Sequence, residues 1–272
     1  MSSQNSEDLD TETFGPLLSI PESSLVNLAV KVRADTLSGA TPSSSSGRLG
    51  CRIGGSSNLL HIIELDGDFK LVIRITATGW GDGLTATAAH GMESQVATLR
   101  LIASMTTIPV PQVYAFDITT SNSIGAPYIY MSFVPGQTLA TAWFDATLPT
   151  PLEDRCLKTL TSLSRCLAQL AQFSFAKIGS IHKGMNGDLT VGPCYDWKEN
   201  EDGRIRVIAP GPYDTAAAYL RDHYAVTDNN SPWKAAATAV AKAVVRRLPF
   251  RDSSGGFVPS IPDIDSQNIM VD

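Results

Sequence analysis

Basic charge is what this 272-residue sequence is short of: 21 Lys and Arg stand against 27 Asp and Glu, a formal net charge of −6. A surface that neutralises nucleic-acid phosphates needs clustered Lys and Arg, so no nucleic-acid partner is expected. Long apolar runs are also missing. None approaches the roughly 18 residues that would span a bilayer, and no membrane partner is expected. Cysteine and histidine are scarce, at four each, and they form neither a CxxC nor an HxxxH pair. Zinc needs ligands at such spacings, and a disulfide framework needs denser cysteine. The thiols therefore read as reduced and packed. The first 13 residues, MSSQNSEDLDTET, lack the apolar core of a signal peptide and the basic residues of a transit peptide. Cytoplasmic residence is the expectation that follows.

What is present is enough apolar material for a core, 43% of residues against 18% charged. Residues 1–46 read as a flexible N-terminal tail carrying one short helix. Pro21 opens that helix, and Leu25, Leu28, Ala29 and Val32 recur at helical spacing along it. From Gly47 the texture turns to strands. Leu59–Leu65 and Phe69–Ile75 flank the turn Asp66-Gly67-Asp68, which is a hairpin signal. Met92, Val96 and Leu99 then mark a helix, stopped by Ile108-Pro109-Val110-Pro111. Val113–Phe116 and Tyr128–Val134 read as two more strands. The second half reads as mainly helical. Cys156, Leu160, Leu163, Leu167 and Leu170 mark a buried stripe, and residues 214–224 and 234–248 predict two further helices. Ile269-Met270-Val271 closes the chain as a strand. This order predicts an α+β protein with a β-rich lobe over 47–135 and a helical lobe over 136–272, with a ligand cleft between them.

Three features could carry chemistry. The segment GRLGCRIGGSSN places glycines at a turn, where backbone N–H groups can approach a phosphate. It lacks the GK[ST] of a Walker loop, and a plain hairpin turn would use the same residues. Arg74 sits inside the apolar run LVIRI, where a guanidinium needs either a partner, a ligand or an open edge. Glu93, 19 residues later, is its natural partner, although an acid in a first helical turn also suits the helix dipole. Asp263 and Asn268 lie five apart in a loop feeding the last strand. That pair could orient a hydroxyl and bind a hard cation, or simply shape a turn. An EF-hand reading fails, because glycine is absent at its sixth position and the chain stops before its twelfth.

Taken together, RIGGSSN, LVIRI, MESQVATLRLI, IPVPQVYAFD, GAPYIYMSFVPGQTL, FAKIGSI and PDIDSQNIMVD resemble the aminoglycoside phosphotransferase-like family of the protein-kinase-like fold, in particular its fungal members. The resemblance runs from about residue 47 to residue 272. It implies ATP and Mg²⁺ as cofactors, and transfer of the γ-phosphate to a hydroxyl of a small-molecule acceptor. Gly54, Gly55, Ser56, Ser57 and Asn58 would cover the phosphates. Arg74 would stand for the phosphate-binding lysine, with Glu93 as its ion-pair partner. Tyr130, Met131 and Phe133 would lie in the hinge that holds the adenine. Asp263 would be the catalytic aspartate and Asn268 a Mg²⁺ ligand. Two departures accompany these matches. Ile261 stands where the family has histidine, and the family's second metal-binding aspartate is not reached before Asp272. The helical lobe is thus expected to stop inside its catalytic hairpin. A second expectation follows, a catalytically impaired kinase-like module that binds a nucleotide or a partner.

Overall fold

The computed structural model describes residues 11–36, 46–66, 69–145, 147–184, 186–200, 202–223, 232–248 and 256–271. The turn residues Gly67 and Asp68 and most of the link at 36–46 lie outside them. The chain opens with α1 (Thr11–Phe14), a 3-10 turn over Gly15–Ser19 and α2 (Glu22–Thr36). The strands β1 (Gly47–Gly54), β2 (Asn58–Leu65) and β3 (Phe69–Thr76) follow. Then come α3 (Ala86–Met105), β4 (Val113–Asp117) and β5 (Tyr128–Ser132). These five strands form one antiparallel sheet in the order β1-β2-β3-β5-β4.

Strand periodicity of two sorts the sheet's side chains between its faces. Leu59, His61, Ile63 and Leu65 of β2 and Leu71, Ile73 and Ile75 of β3 are buried on one face. Leu25, Leu28, Ala29 and Val32 of α2 pack there, joined by Phe14 and Leu17. Residues 11–36 are therefore not a tail. Their apolar stripe covers one face of the sheet and joins its core, and Arg52 ties them to β1 by donating to the carbonyls of Leu18 and Ile20. The opposite face carries Asn58, Arg74 and Thr76. It meets α3, whose Met92 and Val96 pack on Ile129 and Met131. Thr85 caps α3 by accepting from the Ala88 N–H. The buried stripe at the end of α3 runs through Ile102, while Ala103 is exposed.

The second half keeps more helix than strand, as expected, and adds short strands between its helices. After β6 (Gln137–Thr138), α4 (Leu139–Ala142) and α5 (Leu152–Ala168), the chain builds two hairpins. These are β7 (Ser180–Lys183) with β8 (Leu189–Gly192), and β9 (Asp196–Glu199) with β10 (Ile205–Ile208). Strands of four residues flanked by Gly and Pro carry too little alternation to stand out in sequence. The helices α6 (Ala216–His223) and α7 (Pro232–Arg247) and the strand β11 (Met270–Val271) complete the order. The helix α5 lies where its stripe places it, but none of its residues is buried and Leu160 is 56% exposed. Periodicity fixes a helix's apolar face and does not supply the element that covers it. The stripe reaches a core only at its C-terminal end, where Leu167 packs on the cluster of Ile102, Leu170 and Phe173.

The hairpin β7–β8 lies against α3, where the Ser94 hydroxyl donates to the Ile181 carbonyl at 2.7 Å. Gly179 precedes this hairpin, and a Cβ there would stand 2.0 Å from the Gly192 carbonyl oxygen. Backbone cannot yield to such an overlap as a flexible side chain would. Gly179→Ala is expected to destabilise the protein by about 2 kcal/mol or more, read as a fall in the urea midpoint. An unchanged midpoint would show that this close approach is not what constrains residue 179.

Candidate functional site

The candidate site begins on the α3-facing side of β3. In-register pairing sets Asn58 opposite Thr76 and Leu60 opposite Arg74. Asn58 and Arg74 thus share one face of the sheet, two residues apart along it. The loop Gly54–Asn58 closes tightly above them: Gly55 N–H donates to the Asn58 carbonyl at 2.8 Å, and Ala77 N–H donates to the Ser57 carbonyl at 2.9 Å. Gly55 and Ser56 at the tip are exposed. Below the loop, Asn58, Arg74, Thr76, Met92, Gln95 and Trp197 line a small cavity of about 10 Å³, room for about one water molecule. Burial pushes the Arg74 guanidinium down to about 10, which still leaves it fully charged at neutral pH.

The partner of Arg74 is not Glu93. Arg74 Nη2 donates to Gln95 Oε1, and among the described residues no carboxylate pairs with Arg74. Helix geometry explains the difference. Taking Met92 as the centre of the sheet-facing stripe, Gln95 lies roughly 60° to one side and Glu93 roughly 100° to the other. Glu93 turns its charge toward the second half of the chain, where it acts on His182 and Tyr195. These two form a pair of their own, with Tyr195 Oη 3.2 Å from His182 Nε2 and the rings edge to face. Burial holds His182 below the ordinary histidine range, with His90 adding to the effect and Glu93 opposing it. A helical wheel drawn from Met92 would have pointed to Gln95; no sequence signal marks the His182–Tyr195 pair.

Trp197 comes to the cavity from β9, more than a hundred residues from β3. The hairpin β9–β10 is fastened to the loop after β3. Arg204 donates to Asp82 at 2.8 Å, and Arg206 pairs with the same carboxylate. The Arg204 guanidinium stacks 4.5 Å from the Trp80 ring centroid, and Trp80 Nε1 donates to the Thr13 carbonyl at 3.0 Å. Hydrogen bonding to Arg204 and the charge of Arg206 hold the Asp82 carboxyl below the usual range.

Two of the three residues expected in the hinge are taken up by the sheet. Both edges of β5 are paired, to β3 and to β4, so the main chain of Tyr130 and Met131 is taken up by the sheet. The Tyr130 side chain is buried in the α2-side core and its hydroxyl donates to the Ala29 carbonyl. Met131 packs on α3. Neither can offer backbone to a base. Phe133 is the first residue past the paired strand, and with Val134 and Pro135 it forms the link to β6. Lys70 Nζ lies 5.7 Å from the Phe133 ring centroid.

The C-terminal loop docks beside that link. β11 pairs with β6, Leu139 N–H donates to the Ile269 carbonyl, and Ala140 N–H donates to the Ser266 carbonyl. Within the loop, Asn268 Nδ2 donates to Asp263 Oδ2 at 2.9 Å and to the Asp263 carbonyl at 3.2 Å. The two residues are thus brought together, with Asp263 Oδ1 and Asn268 Oδ1 free of that bond. Backbone N–H of Gln267 and the Ser266 hydroxyl hold Asp265 below the usual carboxylate range. Ile261, 43% exposed, has no group that could anchor the loop by hydrogen bonds. Among the described residues no three His, Cys, Asp or Glu cluster to hold a metal. Mg²⁺ takes one or two carboxylates together with substrate phosphates and water, so Asp263 and Asn268 suit an ion that arrives with a nucleotide.

A five-stranded sheet with one helix on its cleft face, followed by a second lobe that returns an Asp/Asn loop to the junction, is the α+β arrangement of kinase-like phosphotransferases. Residues 54–249 match the model of the phosphotransferase enzyme family, and the chain belongs to that family. The match ends before the Asp263 loop. Among curated relatives, the chain is 29% identical over 161 residues to altered inheritance of mitochondria protein 9, mitochondrial, of Candida tropicalis, covering 56% of this chain and 24% of that protein. It is 27% identical over 128 residues to a subtelomeric hrmA-associated cluster protein of Aspergillus fumigatus, covering 47% and 23%. The protein 9 relative of Lodderomyces elongisporus is 25% identical over 232 residues, covering 76% and 34%. The chain thus spans about a quarter to a third of the length of these relatives. Among the described residues no helix is long and apolar enough to cross a membrane.

Proposed function

We propose that the chain binds ATP with Mg²⁺ and directs the γ-phosphoryl group to a hydroxyl of a small-molecule acceptor. The observation that carries this reading is Arg74, a charged guanidinium set beneath the Gly54–Asn58 loop with no carboxylate paired to it among the described residues. Gly55 supports it. A Cβ there would meet only the Asn58 carbonyl, at an ordinary 3.5 Å, so the turn itself does not require glycine. Close approach of a ligand from outside would be a reason for glycine there. In this reading Gly54, Gly55, Ser56, Ser57 and Asn58 hold the phosphates and Arg74 takes their charge. Phe133 and Val134 offer main chain to the base. Asn268 Oδ1 is the metal donor. Bound ATP supplies the phosphoryl group, and Mg²⁺ offsets its charge. Asp263 orients the acceptor hydroxyl and takes up its proton at a carboxylate oxygen.

A thermal-shift titration tests this, with ATP and Mg²⁺ added separately and together. ATP is expected to raise the melting midpoint of the wild type, Mg²⁺ to enlarge the rise, and Arg74→Ala to lose most of it. An ATP response identical in Arg74→Ala and wild type would overturn the placement. The second reading, an impaired nucleotide-binding module, draws on Ile261 and on the lack of a three-ligand metal cluster among the described residues. An ATP shift that Mg²⁺ leaves unchanged would favour it, and Mg²⁺-dependent turnover would remove it. Cytoplasmic residence is likewise a proposal. Two of the relatives described above carry mitochondrial names, and import of the tagged chain into mitochondria would overturn it.

A further inference from the structure

Helix α7 turns an apolar side outward as well as inward. Val245 marks the inner side and is buried, with Thr238 and Ala241 half-buried around it. On the outer side Trp233 is 86% exposed, and Val240, Val244 and Leu248 are exposed as well. The helical turn reaches Leu248 through its N–H, which donates to the Val244 carbonyl. Viewed down the axis, these four lie within an arc of roughly 80°, centred about 100° from Val245. A helix that stands in water normally presents polar groups there. The charges of α7 are all of one sign. Residues 232–247 include Lys234, Lys242, Arg246 and Arg247 and no Asp or Glu, although the whole chain carries a formal net charge of −6. Arg246 and Arg247 are exposed, and Arg247 borders the apolar arc.

We infer that the outer side of α7 docks on an anionic lipid surface, with the helix lying flat at the level of the headgroups. An apolar arc bordered by basic residues is the pattern such a helix needs. The indole of Trp233, an apolar body with one N–H donor, suits that level. Arg246 and Arg247 then meet the lipid phosphates. The rest of the chain is acidic and is repelled by the same surface, which orients α7 toward it. None of this needs a spanning run, so the lack of one does not bear on it. Two other occupants fit less well. A second copy of α7, whichever way it ran, would set basic residues against basic ones. A protein groove that encloses an amphipathic helix takes its whole circumference, and Val245 keeps the inner side of α7 within the fold. A planar surface asks only for the side that is exposed. The inference is independent of the chemistry proposed at Arg74.

The test is co-sedimentation of the full chain with vesicles, either of phosphatidylcholine alone or of phosphatidylcholine mixed with phosphatidylserine. The chain is expected to bind the mixed vesicles about tenfold or more tightly than the neutral ones, and that binding should fall as salt is raised. Two variants locate the contact, Trp233→Ala and the pair Arg246→Gln with Arg247→Gln. Both change exposed side chains, so their melting midpoints should stay near that of the wild type. Each should bind the mixed vesicles about tenfold or more weakly. The emission of Trp233, read as the difference between wild type and Trp233→Ala, should move to shorter wavelength on binding. Equal binding to the two kinds of vesicle would overturn the inference, as would binding of wild-type strength in both variants. Should one variant fail to fold, the other decides. No binding to the mixed vesicles would also overturn it. A soluble dimer, or a complex with an acidic helical peptide, that the same substitutions abolish would then put a protein in the place of the lipid.

Discussion

Replacing Asp263 with alanine is expected to lower phosphoryl transfer about 10³-fold while leaving nucleotide binding measurable, the size associated with losing a positioned acid–base group. The asymmetry follows from where the residue sits. Asp263 lies on the loop that β11 and β6 hold at the junction, while Arg74 and the glycine turn belong to the sheet. The two sets are built on separate elements, so binding and transfer should separate on mutation. The alanine variant also frees the Asn268 amide from its 2.9 Å bond, so a second variant is needed. Asp263→Asn keeps a hydrogen-bond acceptor for Asn268 and removes only the carboxylate. Rates should fall in both variants, and the ATP-induced thermal shift should persist in both. Transfer at wild-type rate in Asp263→Asn would remove Asp263 from the chemistry.

The second large effect concerns stability in acid. His61 is fully buried on the α2 side of the sheet, in register with Arg52 on β1 and Ile73 on β3. Its ring nitrogens lack hydrogen bonds of good geometry. Burial, and then the charge of Arg52, push it down to about 4 from an ordinary 6.5; an approach to the Ile73 backbone opposes them. The folded protein therefore keeps His61 neutral where the unfolded chain already binds a proton. The stability tied to this group is complete above pH 6.5 and is lost as pH falls toward 4, with no further loss below. The full loss is about 3 kcal/mol. Urea midpoints measured across that range should fall steeply in the wild type, and less so in His61→Leu. Parallel acid slopes in the two proteins would show that His61 does not carry the effect.

Much of the β-rich lobe can be read from sequence. The alternation in Leu59–Leu65 and Phe69–Ile75 gives both strands and their buried faces, and the stripe of α2 gives its inner side. That same alternation places His61 on the buried face. What sequence does not convey is partnership across elements. Arg74 and an acid on the next helix invite pairing, but the choice between Glu93 and Gln95 depends on how α3 is rotated over the sheet. Met92, Val96 and their contacts with Ile129 and Met131 set that rotation. The hinge shows the same limit. Tyr130 and Met131 lie in a strand-like run in either case, and only the pairing of β5 on both sides removes their backbone from ligand reach. The short hairpins β7–β8 and β9–β10 are held by tertiary contacts to α3 and to Asp82, so their local sequence alone carries little information.

The fastening of the β9–β10 hairpin has a kinetic side. The meander β1-β2-β3 joins strands that follow one another directly, so it can assemble from local contacts. The bond from Arg204 to Asp82 closes a loop of 122 residues, and the bond from Trp80 to Thr13 closes one of 67. Closing such loops costs entropy that local strands do not pay, and the contact that pins Arg204 cannot exist until most of the chain has been made. During synthesis the sheet would form first. Trp197 would reach its place beside Arg74 only after it, so the Arg74 pocket gains this wall later than the walls built on the sheet and α3.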